Sequence, residues 1–294
     1  MSVSLKYFPG FEKIHIETSG ATINGVKGGS GPPLLLLHGY PQSHLEWHKI
    51  ALRLAQDFTV VATDLRGYGD SSKPQDGENH SGYSKRAMAQ DQVEVMQQLG
   101  FEHFSVVGHD RGGRVGHRMA LDHAGKVDRL AVIDIVPTYK LYSEVTREFA
   151  TLYFHWFFLI QAAPMPETLL LNSADFFLGE RTFRGMVPNL IPEEIFDEYL
   201  RCFKDPATQH AMCEDYRAGA SIDLEYDKED INTKIECPLF AIWGEKGPMH
   251  RLYDVVETWK ERARHVTGKA LPGGHWLPEE LPEETNDALR NFLI

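Results

Sequence analysis

The sequence predicts an α/β protein: a mostly parallel central sheet flanked by helices, with a helical segment inserted between two strands. Three observations carry this. Short, wholly apolar runs lie between turn residues, as strands buried on both faces do. Helical patterns separate those runs, and strand–helix alternation of this kind makes a parallel sheet. From about residue 138 to 220 the alternation stops and only helical patterns remain.

Taken in order, residues 11–26 alternate well enough for one or two antiparallel strands. Leu34, Leu35, Leu36 and Leu37 form the first buried strand, between Gly31-Pro32-Pro33 and His38-Gly39. Residues 58–65 (FTVVATDL) are the second and 104–107 the third. Residues 130–136 (LAVIDIV) are the fourth and 239–243 (LFAIW) the fifth. Helices are expected near 45–55, 84–99, 112–123 and 252–263, with a last one near 282–293. Within the insertion, 139–160 is rich in large apolar side chains and 195–211 is amphipathic. The chain thus divides into a core, 1–137 and 221–294, and an inserted helical cap, 138–220. An insertion at the C-terminal end of a strand falls where open α/β sheets bind ligands.

Composition narrows the function. The 294 residues allow one large domain or two smaller ones. Lys and Arg number 30 against 42 Asp and Glu, a net charge of −12, which repels nucleic acid and anionic membranes. No apolar run is long enough to span a bilayer, and the first residues lack a signal-peptide pattern. Cys202, Cys213 and Cys237 are too few for a disulfide framework and read as structural thiols, so a reducing cytoplasm is expected. The 14 histidines form no paired metal-ligand spacing. If the substrate is an anion, a local cluster of arginines must overcome the global field.

The chemistry centres on Gly108-His109-Asp110-Arg111-Gly112-Gly113, which follows a strand and precedes a helix. This has the form G-x-nucleophile-x-G, with Asp110 where a hydrolase would place serine. A sharp strand-to-helix turn needs small neighbours and lifts the central side chain above the sheet. The helix N-terminus favours the ionised carboxylate. His38-Gly39-Tyr40-Pro41 follows the leucine strand, where this architecture supplies one oxyanion-hole N–H. The backbone N–H groups of Tyr40 and Arg111 are the candidate pair. Pro272-Gly273-Gly274-His275 follows a short strand and places a histidine on a late loop. Asp134, ending the fourth strand, and Glu245, after the fifth, are rival candidates to orient it.

These motifs, with Asp64-x-Arg66-Gly67-Tyr68-Gly69-x-Ser71, resemble the aspartate-nucleophile branch of the α/β-hydrolase superfamily over nearly the whole chain. That branch holds epoxide hydrolases, haloalkane dehalogenases and haloacetate dehalogenases. In the first two groups tryptophan typically follows the nucleophile. Here Arg111 follows, with Arg114 at i+3 on the same helix face, and the string resembles the fluoroacetate dehalogenase family. Two guanidinium groups can clamp a haloacetate carboxylate with paired donors and offset its repulsion from Asp110.

The resemblance implies a halide-binding trio of His155, Trp156 and Tyr216, each able to donate one hydrogen bond. Residues 152–159 (LYFHWFFL) could equally form a core-facing aromatic helix. The resemblance also selects Asp134 as the acid, with Glu245 kept open, and implies a homodimer. The implied reaction is attack of Asp110 on the halogen-bearing carbon, then hydrolysis of the ester by water activated by His275, with no metal or organic cofactor. Two other readings stand beside it. An epoxide hydrolase would use tyrosine donors, Tyr216 with Tyr139, Tyr142 or Tyr153, and would leave the arginines unexplained. A non-catalytic ligand-binding protein could share the fold. Preference for chloroacetate or bromoacetate over fluoroacetate turns on pocket volume.

Overall fold

The computed structural model describes residues 3–183, 187 and 189–294. Eight strands form one sheet: β1 (Glu12–Glu17), β2 (Thr22–Gly29), β3 (Pro33–Leu37), β4 (Thr59–Thr63), β5 (Phe104–His109), β6 (Val127–Ile133), β7 (Leu239–Gly244) and β8 (Val266–Leu271). Their spatial order is β1-β2-β4-β3-β5-β6-β7-β8. β2 pairs antiparallel with both neighbours, and every other pairing is parallel. The five apolar runs occupy the middle of the sheet, and Leu34, Leu35, Leu36 and Leu37 are completely buried. Helices on both faces make such burial necessary, because a parallel sheet has no face left for water.

Several boundaries differ from the expected ones, each for a local reason. The run 58–65 pairs only over Thr59–Thr63, and beyond it the Leu65 N–H turns to the His38 imidazole while the Asp64 carboxylate gathers donors from neighbouring segments. It accepts from the Asn24 amide at 2.7 Å and from the backbone N–H groups of His44 at 2.8 Å and Asp70 at 3.0 Å. The run 130–136 starts earlier, at Val127, and stops at Ile133, since Asp134 turns the chain at φ 51°. The stretch 45–55 is a 3₁₀ segment, His44–Lys49, followed by Ala51–Leu54. The helix near 252–263 is two, Pro248–Leu252 and Val255–Lys260, with Asp254 capping the second through the Glu257 N–H. The stretch 195–211 also breaks: Asp205 caps a new helix with Pro206 in its first turn.

Between β6 and β7 the described residues form helices and no named strand, and the last of these helices, Ile222–Glu229, lies beyond residue 220. The helix Pro206–Gly219 is the hub of this region and is buried over Ala211–Gly219. Its buried Arg217 holds Glu167 at 2.7 Å, Glu214 at 2.9 Å and the Gln161 carbonyl at 2.7 Å. Among the described residues no helix is long and apolar enough to cross a membrane.

Candidate active site

β5 runs straight into the helix Asp110–Asp122, and the turn between them is as tight as the glycine pattern requires. Asp110 sits at φ 44°, a left-handed conformation that non-glycine residues rarely adopt. A Cβ on Gly112 would lie 2.2 Å from the Leu37 carbonyl oxygen, and one on Gly108 would lie 2.5 Å from the Gly112 backbone. Only glycine fits at either place. The Gly112 N–H donates to the His38 carbonyl at 2.9 Å, which ties this turn to the loop after β3. That loop returns the contact, for the Tyr40 N–H donates to Asp110 Oδ1 at 3.1 Å.

Asp110 is buried, and burial by itself would raise its pKa. The neighbouring His275, Arg114, Arg111 and His109 outweigh that and hold it at about 2. A carboxylate so held is ionised at neutral pH. His275 stands on the loop after β8, and its Nδ1 lies 2.6 Å from Asp134 Oδ2. The other Asp134 oxygen accepts from the Gly244 N–H at 3.1 Å. The carboxylate facing His275 is therefore Asp134, whereas Glu245 is exposed.

Asp110 and His275 open onto one cavity of about 120 Å³, small beside the roughly 300–1,000 Å³ of pockets for drug-sized ligands. Tyr40, Tyr153, His155, Tyr216 and Arg181 also line it. His155 and Tyr216 meet edge to face at 5.9 Å, as do Trp156 and Tyr216. Burial drops the His155 pKa to about 4, so its ring is neutral near pH 7 and presents a single N–H. Trp156 is completely buried and stands behind the lining, and its indole Nε1 has no hydrogen-bond partner among the described residues.

The arginines also lie behind the lining, and differ from each other. Arg111 forms a buried fork with Asp215: Nε to Oδ2 and Nη2 to Oδ1, both at 2.8 Å. Its guanidinium stacks 4.2 Å from the centre of the Tyr216 ring. Arg114 donates through Nη1 to the Val136 carbonyl and to Thr138 Oγ1, both at 3.0 Å, and lies 4.6 Å from the centre of the Trp156 ring. Among the described residues its Nε has no partner, and neither does the buried Tyr142 hydroxyl. Unpartnered buried donors of this kind are costly unless water or a polar ligand satisfies them.

Asp215 is the residue the sequence reading passed over. It stands beside Tyr216, accepts from Tyr68 Oη at 2.6 Å and pairs with Lys85 as well as Arg111. Those two cations hold its pKa far below the usual carboxylate range despite its burial. Nothing local marks it, since its partners lie far away in the chain. Spacing gave no metal reading either, yet the fold gathers Asp76, His210 and Glu214. There His210 and Asp76 pair at 3.0 Å, and His80 and Glu214 at 2.7 Å.

A buried carboxylate on a strand-to-helix elbow, a histidine–aspartate pair on later loops and a cavity above the sheet define a class. The chain belongs to the alpha/beta hydrolase fold family, which it matches over residues 32–282. It is 47% identical to a fluoroacetate dehalogenase of Burkholderia sp, over 97% of this chain and 95% of that one. It is 36% identical to a soluble epoxide hydrolase of Corynebacterium sp. (strain C12), over 93% and 96%. A crystal structure from Nostoc sp PCC 7120, described as an alpha/beta hydrolase, superposes with a TM-score of 0.95 at 56% identity, covering 98% of this chain and 99% of that one.

Proposed function

We propose that the protein hydrolyses haloacetates, with fluoroacetate converted to glycolate and fluoride as the principal reaction. What carries the reading is one convergence. An ionised, buried Asp110 and His275 share a small cavity, and Arg111, Arg114 and the unpartnered Trp156 Nε1 stand directly behind its aromatic wall. The 47% identity to a fluoroacetate dehalogenase supports it.

The substrate enters beneath the cap, residues 138–220, and its carboxylate meets Arg111 and Arg114. An Asp110 oxygen attacks the carbon bearing fluorine. The new C–O bond forms as the C–F bond breaks, and fluoride leaves with the bonding pair. His155, Trp156 and Tyr216 donate to it, which offsets the strong hydration that fluoride gives up. The product of this step is an ester on Asp110. His275, oriented by Asp134, then takes a proton from water, and the hydroxide adds to the Asp110 carboxyl carbon. The Tyr40 and Arg111 N–H groups stabilise the resulting oxyanion. Collapse expels the glycolate alkoxide, which takes the proton held by His275, and the Asp110 carboxyl gives the water's other proton to solvent and returns to the carboxylate. The Tyr40 N–H already donates to Asp110 Oδ1 at 3.1 Å, the atom on which such charge would develop.

One observation favours a second reading. Tyr153 and Tyr216 both line the cavity, as an epoxide hydrolase needs for protonating the epoxide oxygen, and a relative of that name shares 36% identity. The reading of the protein as a haloacetate hydrolase also includes a cytoplasmic homodimer joined through residues 138–220, where Met165, Leu169 and Phe176 are exposed. Sedimentation of the purified chain checks that association.

Halide release decides between the readings. The purified protein is incubated with fluoroacetate, with chloroacetate and with a panel of epoxides. Fluoride release that disappears in Asp110→Asn is the expected result. Chloride without fluoride would indicate a looser haloacid dehalogenase. Diol formation with no halide would make the protein an epoxide hydrolase and remove the proposed role of the arginines.

A further inference from the structure

Behind the elbow lies an ion pair that the reaction does not use directly. Glu46 and His109 are both completely buried. Glu46 Oε1 lies 2.8 Å from His109 Nδ1. Its other oxygen accepts from the Gly39 N–H at 2.8 Å. On the far side of the imidazole, His109 Nε2 lies 2.9 Å from the carbonyl oxygen of His275. A carbonyl only accepts, so Nε2 carries a proton. Nδ1, facing the Glu46 carboxylate as an ion pair, carries the other, and the ring is an imidazolium that donates through Nε2 to the His275 carbonyl. Burial alone would lower the His109 pKa. Glu46, then Asp110 and Asp134, reverse this and hold it at about 9.

Each end of this pair therefore grips the main chain of a different loop. Gly39 precedes Tyr40, His109 precedes Asp110, and the third contact is the backbone of His275 itself. We propose that Glu46 and His109 are positioning residues: their ion pair fastens the three loops that carry Tyr40, Asp110 and His275, and the hydrolytic half of the reaction depends on it more than the alkylation half. This rests on the reaction proposed above. Alkylation needs the Asp110 carboxylate and the bound substrate. Hydrolysis needs the Tyr40 N–H and the His275 imidazole in register with the ester at the same moment. Misplacement by about 1 Å can cost on the order of 100-fold in such a step. A pair present only for stability has no reason to reach three loops, since well-packed apolar residues often serve a core as well as a buried ion pair does.

The test uses Glu46→Gln, which keeps the shape and an acceptor for Gly39 but removes the charge, and Glu46→Asp as the conservative, milder variant. Fluoride release is followed from the first turnover, and the intact mass of the enzyme is read in the steady state. In Glu46→Gln the first-turnover rate should change little, while the steady rate falls roughly 10- to 100-fold and the ester on Asp110 accumulates. Glu46→Asp should recover part of the loss. If both phases fall in the same proportion, or neither falls, the proposal is overturned. Hydrogen exchange supplies a readout independent of the substrate. Amides of residues 38–40 and 273–276 should exchange faster together in Glu46→Gln, and unchanged protection would also overturn the fastening. If the unaltered protein releases no halide from any haloacetate, the functional reading fails while the exchange experiment still decides the role of the pair.

Discussion

Asp215→Asn is the substitution whose consequence the structure defines most fully. The Asp215 carboxylate is completely buried and meets Arg111 Nε and Nη2 at 2.8 Å each, Tyr68 Oη at 2.6 Å and the Lys85 ammonium. Asparagine fits the space but brings an amide donor into a ring of donors and leaves Arg111 and Lys85 short of a counter-charge. Asp223, 3.6 Å from Lys85, compensates in part. Removing one partner of a buried pair costs about 3–5 kcal/mol. At roughly 2–4 °C per kcal/mol for a domain approaching this size, the melting temperature should fall by about 6–20 °C. Arg111 also loses the fork that aims it, so the KM for a haloacetate should rise about 10-fold, the equivalent of about 1.4 kcal/mol. The KM for a neutral haloacetamide should change far less, because that substrate has no carboxylate to clamp. Thermal melts and steady-state kinetics on both substrates read the two effects. A melting point within about 2 °C of the unaltered protein, with both KM values unchanged, would mean that the Asp215 carboxylate neither stabilises the fold nor aims Arg111.

Two further outcomes follow from the same geometry. Arg114→Lys keeps the charge but loses the Nη1 contacts that set the guanidinium plane on Val136 and Thr138 and the stack on Trp156, so KM for haloacetates should rise at least 10-fold while kcat falls less; an unchanged KM would remove Arg114 from carboxylate binding. Stability should form a dome against pH. The His109 pKa is raised from about 6.5 to about 9, so its contribution is complete below about 6.5 and lost as pH rises through 9, roughly 3 kcal/mol in all. His48 and His155 are held neutral down to about 4, so theirs is complete above about 6.5 and lost as pH falls through 4. Denaturant titrations from pH 4 to pH 9 check both flanks, and a flat profile above neutrality would contradict the His109 assignment.

Local pattern revealed the sheet because burial on both faces writes itself into sequence as unbroken apolar runs, and the five runs became β3 to β7. The elbow was legible for a similar reason: its glycines are demanded by contacts within a few residues and with the strand alongside. Strand ends were less legible. Asp64 and Asp134 look like continuations until their carboxylates find partners elsewhere. The pattern of the aromatic stretch 152–159 fits core and pocket equally, and the helix serves both. Trp156 is completely buried, while His155 one residue earlier reaches the cavity. Asp215 and Glu46 were invisible. Each is an ordinary acid on a helical segment, and its meaning comes from partners that only the fold assembles, Arg111 and Lys85 for one and His109 for the other.

The proposed reaction turns on a covalent ester formed on Asp110 and cleared by His275. The most direct test is to incubate His275→Asn with fluoroacetate, determine the intact mass and map the adduct by proteolysis. One carboxymethyl group per chain, carried on Asp110, is expected, with one fluoride released and no further turnover. Normal turnover by this variant, or fluoride release with Asp110 unmodified, would contradict that reaction.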